Sequence, residues 1–212
     1  MKTKGILLVL LAPICGLMLW PAQSKAKLIT IEIEAVVDSI WDEGNYLEGR
    51  IRPGDIITGW YTYDSSTPDS SPSDMVQGNY WYYDSPAGLS LTVDGFTFET
   101  DPEDVEFRIA IRNDITPWGG DIYAIGSSNN LYVANDILVE SITWQLYDPV
   151  GNALTSDSLP TMPPVLDDWE SNLLRISGCR TFGISAHVTS AIPEPTTILL
   201  LGLATIFLRN RK

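Results

Sequence analysis

Three groups of residues in this 212-residue chain have types and spacings that could do chemistry. The first is aromatic. Side chains two apart on an extended strand share a face, so Tyr61 and Tyr63 lie together. Tyr80 and Tyr82 lie together as well, and Trp81 and Tyr83 face the opposite way. Flat rings beside Asp and Asn can stack on sugar rings. The same rings also fill cores and pair across strands. Trp81 with Tyr83, and Tyr80 with Tyr82, are the two sugar-stacking pairs to look for. With aromatics on both faces of one strand, one face is expected outside unless something covers it.

The second group is acidic. Asp38, Asp42 and Glu43 surround Trp41, Asp101 to Glu106 holds four carboxylates, and Asp167 is followed by Asp168. Clustered carboxylates with backbone carbonyls suit a structural Ca²⁺, a hard cation that takes oxygen ligands. No Asp-x-Asp-x-Asp-Gly loop is present, so a solvated acidic surface is the plainer expectation and the metal ligands stay unknown. The third group is catalytic in type. A glycosidase needs two carboxylates about 5–10 Å apart across a cleft, and with this many acids the sequence selects no pair. His187 is the one histidine, and no Gly-x-Ser-x-Gly elbow exists to partner it. The expectation is therefore a protein that is not an enzyme and holds no cofactor, with a secreted glycosidase as a second alternative.

The composition narrows the field. Thirteen basic residues stand against 27 acidic ones, a net charge of −14. Nucleic-acid partners are excluded, because phosphate recognition needs a basic surface. A hydrophobic content of 44% argues against disorder. Six of the basic residues and one acid sit at the two ends, so the chain between them carries 7 basic and 26 acidic residues, a net −19. Such a domain repels anionic partners unless divalent cations bridge them. The cysteines are Cys15 and Cys179. If the N-terminal segment is removed, no intramolecular disulfide can form and the core must hold the domain together.

The elements that position these groups read as strands almost throughout. Leu28 to Val37 alternates Ile29, Ile31 and Ile33 with Thr30, Glu32 and Glu34, the pattern of a half-buried strand. Similar runs cover Asp55–Tyr63, Asn79–Tyr83, Leu89–Glu99, Val105–Ile111, Ile122–Ile125, Ile137–Tyr147, Leu173–Ser177 and Gly183–Ser190. Asp94-Gly95 between two alternating runs predicts a tight hairpin. Turn clusters separate the runs, among them Asp64 to Asp74, Pro117 to Gly120 and Asp148 to Asn152. Only Pro164 to Glu170 could begin a short helix. About nine antiparallel strands predict an all-β fold, a β-sandwich of jelly-roll-like or Ig-like type.

The two ends read differently. Lys2 and Lys4, the apolar run Ile6–Trp20, and Ser24-Lys25-Ala26 predict a signal peptide over residues 1–26, cut after Ala26 and exported through the Sec translocon. At the other end, Pro193-Glu194-Pro195 leads into an apolar segment and then Arg209, Arg211 and Lys212. Each proline keeps the residue before it extended, so the tripeptide is expected as an exposed strand that a membrane-side enzyme can read. An apolar helix over 195–208 is about 21 Å long, short of a ~30 Å hydrocarbon core. Snorkelling of Arg209, Arg211 and Lys212 makes up part of the deficit, and their charge keeps them cytoplasmic as a membrane stop. The expected division is a signal peptide at 1–26, a β-sandwich ectodomain at 27–190 and a terminal signal at 191–212.

This tripartite tail resembles the PEP-CTERM sorting signal of Gram-negative bacteria. The segment Gly59-Trp60-Tyr61-Thr62-Tyr63-Asp64 also resembles a strand end found early in many PEP-CTERM ectodomains. The resemblance implies recognition by a membrane-embedded exosortase, with cleavage near Pro193, Glu194 and Pro195. It also implies a transient stay in the inner membrane, an association with exopolysaccharide producers, and a final place at the cell surface or in the extracellular matrix. The expectation is an exosortase substrate with a non-catalytic acidic domain. The first alternative is a secreted carbohydrate-binding module.

Overall fold

The structure is a computed structural model, and it describes residues 27–114, 120–133 and 137–194. The signal segment with Ala26, the turn around Trp118, Pro195, the apolar helix and the basic stop Arg209, Arg211 and Lys212 lie outside the described residues. Among the described residues no helix is long and apolar enough to cross a membrane.

Alternation builds the first element. β1 (Leu28–Trp41) turns Ile29, Ile31, Ile33, Ala35 and Val37 inward, while Glu32 and Glu34 stay in solvent. β2 (Ile56–Asp64) places Ile57, Tyr61 and Tyr63 on the same inner face, with Tyr61 opposite Ile31 and Tyr63 opposite Ile29. The remaining strands are β3 (Gln77–Tyr82), β4 (Gly88–Val93), β5 (Phe96–Glu99), β6 (Phe107–Arg112), β7 (Asp121–Ser127), β8 (Val139–Asp148), β9 (Ser171–Gly178) and β10 (Gly183–Pro193). The β4–β5 hairpin turns at Asp94 and Gly95, both at positive φ (45° and 84°), as a two-residue loop that matches strand twist requires. The short helix expected near Pro164 is one turn of 3-10 helix, Leu166–Asp168.

All neighbours are antiparallel, in the order β3-β6-β7-β8-β9-β10-β1-β2-β4-β5. Strands β6 to β10 form a meander, and the first strand then pairs with the last in the middle of the sheet. After β2 the chain leaves for the far edge, makes β3, and returns as β4 beside β2. Instead of two hydrogen-bonded sheets stacked as a sandwich, the strands form one continuous sheet curled into a half-barrel. The reason is local. β9 and β10 stay paired through the tight turn Cys179–Thr181, with Arg180 at φ 56°. Bulges at Glu34/Ala35, Val37/Ser39 and Val139/Ser141 add the twist that bends the sheet on itself.

The bend brings the inner faces of the two halves together. Tyr61 on β2 meets Tyr123 on β7, their hydroxyls 3.1 Å apart, and both rings lie edge-on to Trp144 on β8. Phe98 on β5 packs against Phe182, just before β10. The long loop 149–170 packs on the core through Leu154, Leu159 and Leu166. Its carbonyls at Asp157 and Pro160 accept the hydroxyls of Tyr80 and Tyr63.

Candidate functional site

The Pro-Glu-Pro tripeptide begins inside the sheet. β10 does not stop at Ser190, where the ectodomain was expected to end, but runs on to Pro193 with Ile192 opposite Glu32 and Pro193 opposite Ile31. The next residue, Glu194, donates its backbone N–H to the Thr30 carbonyl at 3.0 Å. In an antiparallel ladder hydrogen-bonded and non-hydrogen-bonded pairs alternate. Thr30 with Glu194 is a bonded position, so Ile31 with Pro193 is not, and the proline costs the ladder no bond. As far as Pro193 the segment is extended, as a proline ahead predicts, but β1 holds its backbone through Glu194.

The other side of β10 is held less. β9 pairs with β10 only from Gly183 to Ala186. Past that point the Asn172 side chain replaces a strand. Its Nδ2 donates to the Val188 carbonyl at 2.7 Å, and its Oδ1 accepts the Val188 N–H at 3.2 Å and the Trp144 indole N–H at 2.9 Å. The 3-10 helix Leu166–Asp168 lies beside β10 and, among the described residues, makes only its own turn hydrogen bonds. Among the described residues, no strand pairs with β10 on this side beyond Ala186.

The chain enters the domain next to where it leaves. Lys27, directly after the expected cut at Ala26, donates its N–H to Asp64 Oδ1 and accepts the Ser65 amide. Leu28 then starts β1, the strand that carries Glu194 on its other side. Burial pushes the Asp64 carboxyl up, but bonds from the Ser66 hydroxyl, the Ser66 amide and the Lys27 amide outweigh it and leave Asp64 below its ordinary range.

The aromatic pairs separate cleanly. Tyr80 and Tyr82 point into the core and are buried, so the sugar-stacking pair expected of them is not formed. β3 uses that face to pack on Phe107 and on loop 149–170. Trp81 and Tyr83 point outward with rings parallel to 2° and centroids 6.2 Å apart; Trp81 is half-buried and Tyr83 is 65% exposed. The Arg108 guanidinium lies 5.1 Å from the Trp81 ring. Beside them a cavity of about 360 Å³ is lined by Leu28, Asp64, Tyr83, Asp84 and Pro86.

The buried phenols are held neutral. Burial, reinforced by Tyr63, raises Tyr61 well above the usual phenol value, and burial likewise raises Tyr63, Tyr82 and Tyr123. Their rings lie in the core.

The acidic clusters do not converge. Among the described residues no three metal-type side chains come together. Asp42 instead accepts the Tyr46 and Leu47 amides, Asp101 accepts the Glu103 amide, and Asp104 accepts the Asn129 side chain. His187 Nδ1 sits 2.7 Å from Asp38 Oδ1 across the β10–β1 ladder, with both side chains about half exposed. Among the described residues no hydroxyl or thiol is hydrogen-bonded to that pair. Sequence reasoning missed Asn172 and the pair Asp121 and Asp148. The latter face each other across β7 and β8 and accept backbone amides, from Asp114 and Leu154 at Asp121 and from Val150, Asn152 and Ala153 at Asp148.

Comparison with known families decides what the end of β10 is. A family model described as the PEP-CTERM protein-sorting motif matches residues 191–212. The chain carries a PEP-CTERM protein-sorting motif. It is accordingly an exosortase-sorted exported protein, directed through the membrane towards the cell surface. The match begins at Ala191, so the first four residues of the PEP-CTERM motif are those paired with β1. Neither a curated protein nor a solved structure matches the chain.

Proposed function

We propose that this PEP-CTERM protein is an exosortase substrate whose acidic half-barrel serves as a non-catalytic surface or matrix domain. The Sec translocon passes the chain across the inner membrane, and the signal peptide is removed after Ala26. The apolar tail halts in the bilayer with Arg209, Arg211 and Lys212 inside, and cleavage near Pro193, Glu194 and Pro195 frees the domain for the surface of a Gram-negative cell. The match at 191–212 carries this reading. It is supported by the position of Lys27 and Glu194 on and beside one strand, which lets both membrane segments leave the domain at the same end. Replacing Pro193, Glu194 and Pro195 together by alanine should leave tailed protein in the inner membrane. Intact mass and fractionation identical to wild type would defeat the proposal.

A second reading, carbohydrate binding, is favoured by one observation: the exposed, parallel Trp81–Tyr83 pair beside the carboxylates of Asp64 and Asp84. Trp81→Ala with Tyr83→Ala should abolish retention of the protein in polysaccharide-containing gels, while Tyr80→Phe should leave it unchanged. Equal mobility of the double variant and wild type, with and without polysaccharide, would remove this reading. Asp121 and Asp148, acids facing each other across one ladder, are committed to backbone amides and so lend the glycosidase alternative no support.

A further inference from the structure

The processing motif has two claimants. One is β1. Ile192 pairs with Glu32, Pro193 with Ile31, and the Glu194 N–H is bonded to the Thr30 carbonyl. The other is the enzyme that must read the same residues. A peptidase cleft takes its substrate as an extended chain whose backbone N–H and C=O groups are available for strand-like pairing. At the bonded positions, Ile192 and Glu194, those groups already face β1.

The fold also makes these rungs separable from the rest. The bulge at Glu34/Ala35 interrupts the ladder just before them. On the opposite side the last support is the Asn172 side chain on Val188, so from Ser190 to Pro193 β1 is the one described strand that pairs with β10. Pro193 removes an N–H that would point away from β1, so it weakens nothing on the β1 side and blocks strand addition to the other edge. Short terminal rungs of this kind open independently of the whole domain.

We propose that Ile192–Glu194 exchanges between two partners, β1 in the closed domain and the exosortase cleft during processing, and that release of these rungs from β1 precedes cleavage. The inference rests on the sorting reading. It makes the end of β10 an interaction surface that the folded domain withholds, and it makes the strength of the β1–β10 rungs a control on the rate of processing.

The test locks the rungs reversibly. Glu32 and Ile192 are opposite each other with exposed side chains on the outer face. A bonded antiparallel pair has Cα atoms about 5.5 Å apart, within the range a disulfide spans. The full-length chain carrying Glu32→Cys and Ile192→Cys, in a Cys179→Ser background, is followed by intact mass in exosortase-bearing membranes with and without reductant. The expected result is cleavage slowed about tenfold or more when the disulfide is closed and restored on reduction, with each single-cysteine variant processed as wild type. Cleavage of the closed form at the wild-type rate would overturn the inference and leave the sorting reading standing. Failure of wild type itself to lose its tail would overturn both. Hydrogen exchange on the full-length wild-type chain gives a second readout, with the Ile192 and Glu194 amides expected to exchange more slowly than that of Ala191, which faces away from β1. Equal exchange at all three would also overturn it.

Discussion

Truncating Asn172 tests the account of β10 most directly. Its amide makes three hydrogen bonds, to the Trp144 indole and to both backbone groups of Val188. Trp144 is fully buried and Val188 nearly so. An orphaned buried donor or acceptor costs about 1–3 kcal/mol. Asn172 is itself half-buried, so water reaches part of the space an alanine leaves, and the three losses together come to about 3 kcal/mol. A surface Asn→Ala change away from such a network stays within about 0.5 kcal/mol. For a domain of this size 3 kcal/mol lowers the Tm by about 6–12 °C. Urea unfolding of the purified protein, followed by tryptophan fluorescence, should show Asn172→Ala with a lower midpoint and an unchanged slope. Asn172→Asp keeps both acceptor contacts but sets a carboxylate oxygen against the Val188 carbonyl where the donor stood, so its midpoint should also fall below that of wild type. A midpoint for Asn172→Ala within about 0.5 kcal/mol of wild type would refute the idea that this side chain stands in for a strand.

Two further outcomes follow from the core. Tyr61→Phe leaves the buried Tyr123 hydroxyl without its partner and should cost about 1–2 kcal/mol by denaturant titration, whereas Tyr61→Phe with Tyr123→Phe should cost less than the single change. Stability should also depend on pH at both extremes. Burial raises the phenols of Tyr61, Tyr63, Tyr82 and Tyr123 above the ordinary value of 10.0, so their contribution is complete below pH 10 and is lost as pH rises towards the folded values. At the acid end, the Asn152 and Val150 amides, with help from Ala153 and Gly151, hold Asp148 below its ordinary value of 3.8. Its contribution is therefore present above that value and lost as pH falls through the lower folded one. Absorbance and circular dichroism against pH should show a share of the tyrosinate signal that appears only with unfolding, and Asp148→Asn should flatten the acid limb.

Most of the strands were legible because alternation is a local signal. The isoleucines of β1 at every second position, the Asp94-Gly95 turn and the opposed aromatic faces of β3 all sit where their spacing puts them. The curl of the sheet was not legible. It depends on β1 meeting β10 across more than a hundred residues and on bulges at Glu34/Ala35 and Val37/Ser39, where the inside–outside pattern slips by one residue and local reading loses its register. The site was half legible for a related reason. Pro193 and Pro195 announce an extended exposed segment, and the chain is extended as far as Pro193. Nothing in the tripeptide says that Thr30 will take the Glu194 amide, because that bond belongs to a partner at the other end of the chain.

The acidic composition needs a different explanation from the one its clusters suggest. Runs such as Asp101 to Glu106 look like metal sites or solvated charge, yet aspartates throughout the domain act singly on nearby backbone. Asp42, Asp55, Asp64, Asp69, Asp74 and Asp101 each accept amides within a few residues. This is Asx-turn chemistry, in which a short carboxylate supplies an acceptor where the chain leaves a strand. An all-β sheet with one long crossover has many such exits and few helix caps to serve. The negative charge therefore follows in part from the number of turns that ten strands require. The carboxylates already taken up by backbone amides are poorly placed to gather round a cation, and among the described residues no three metal-type side chains come together.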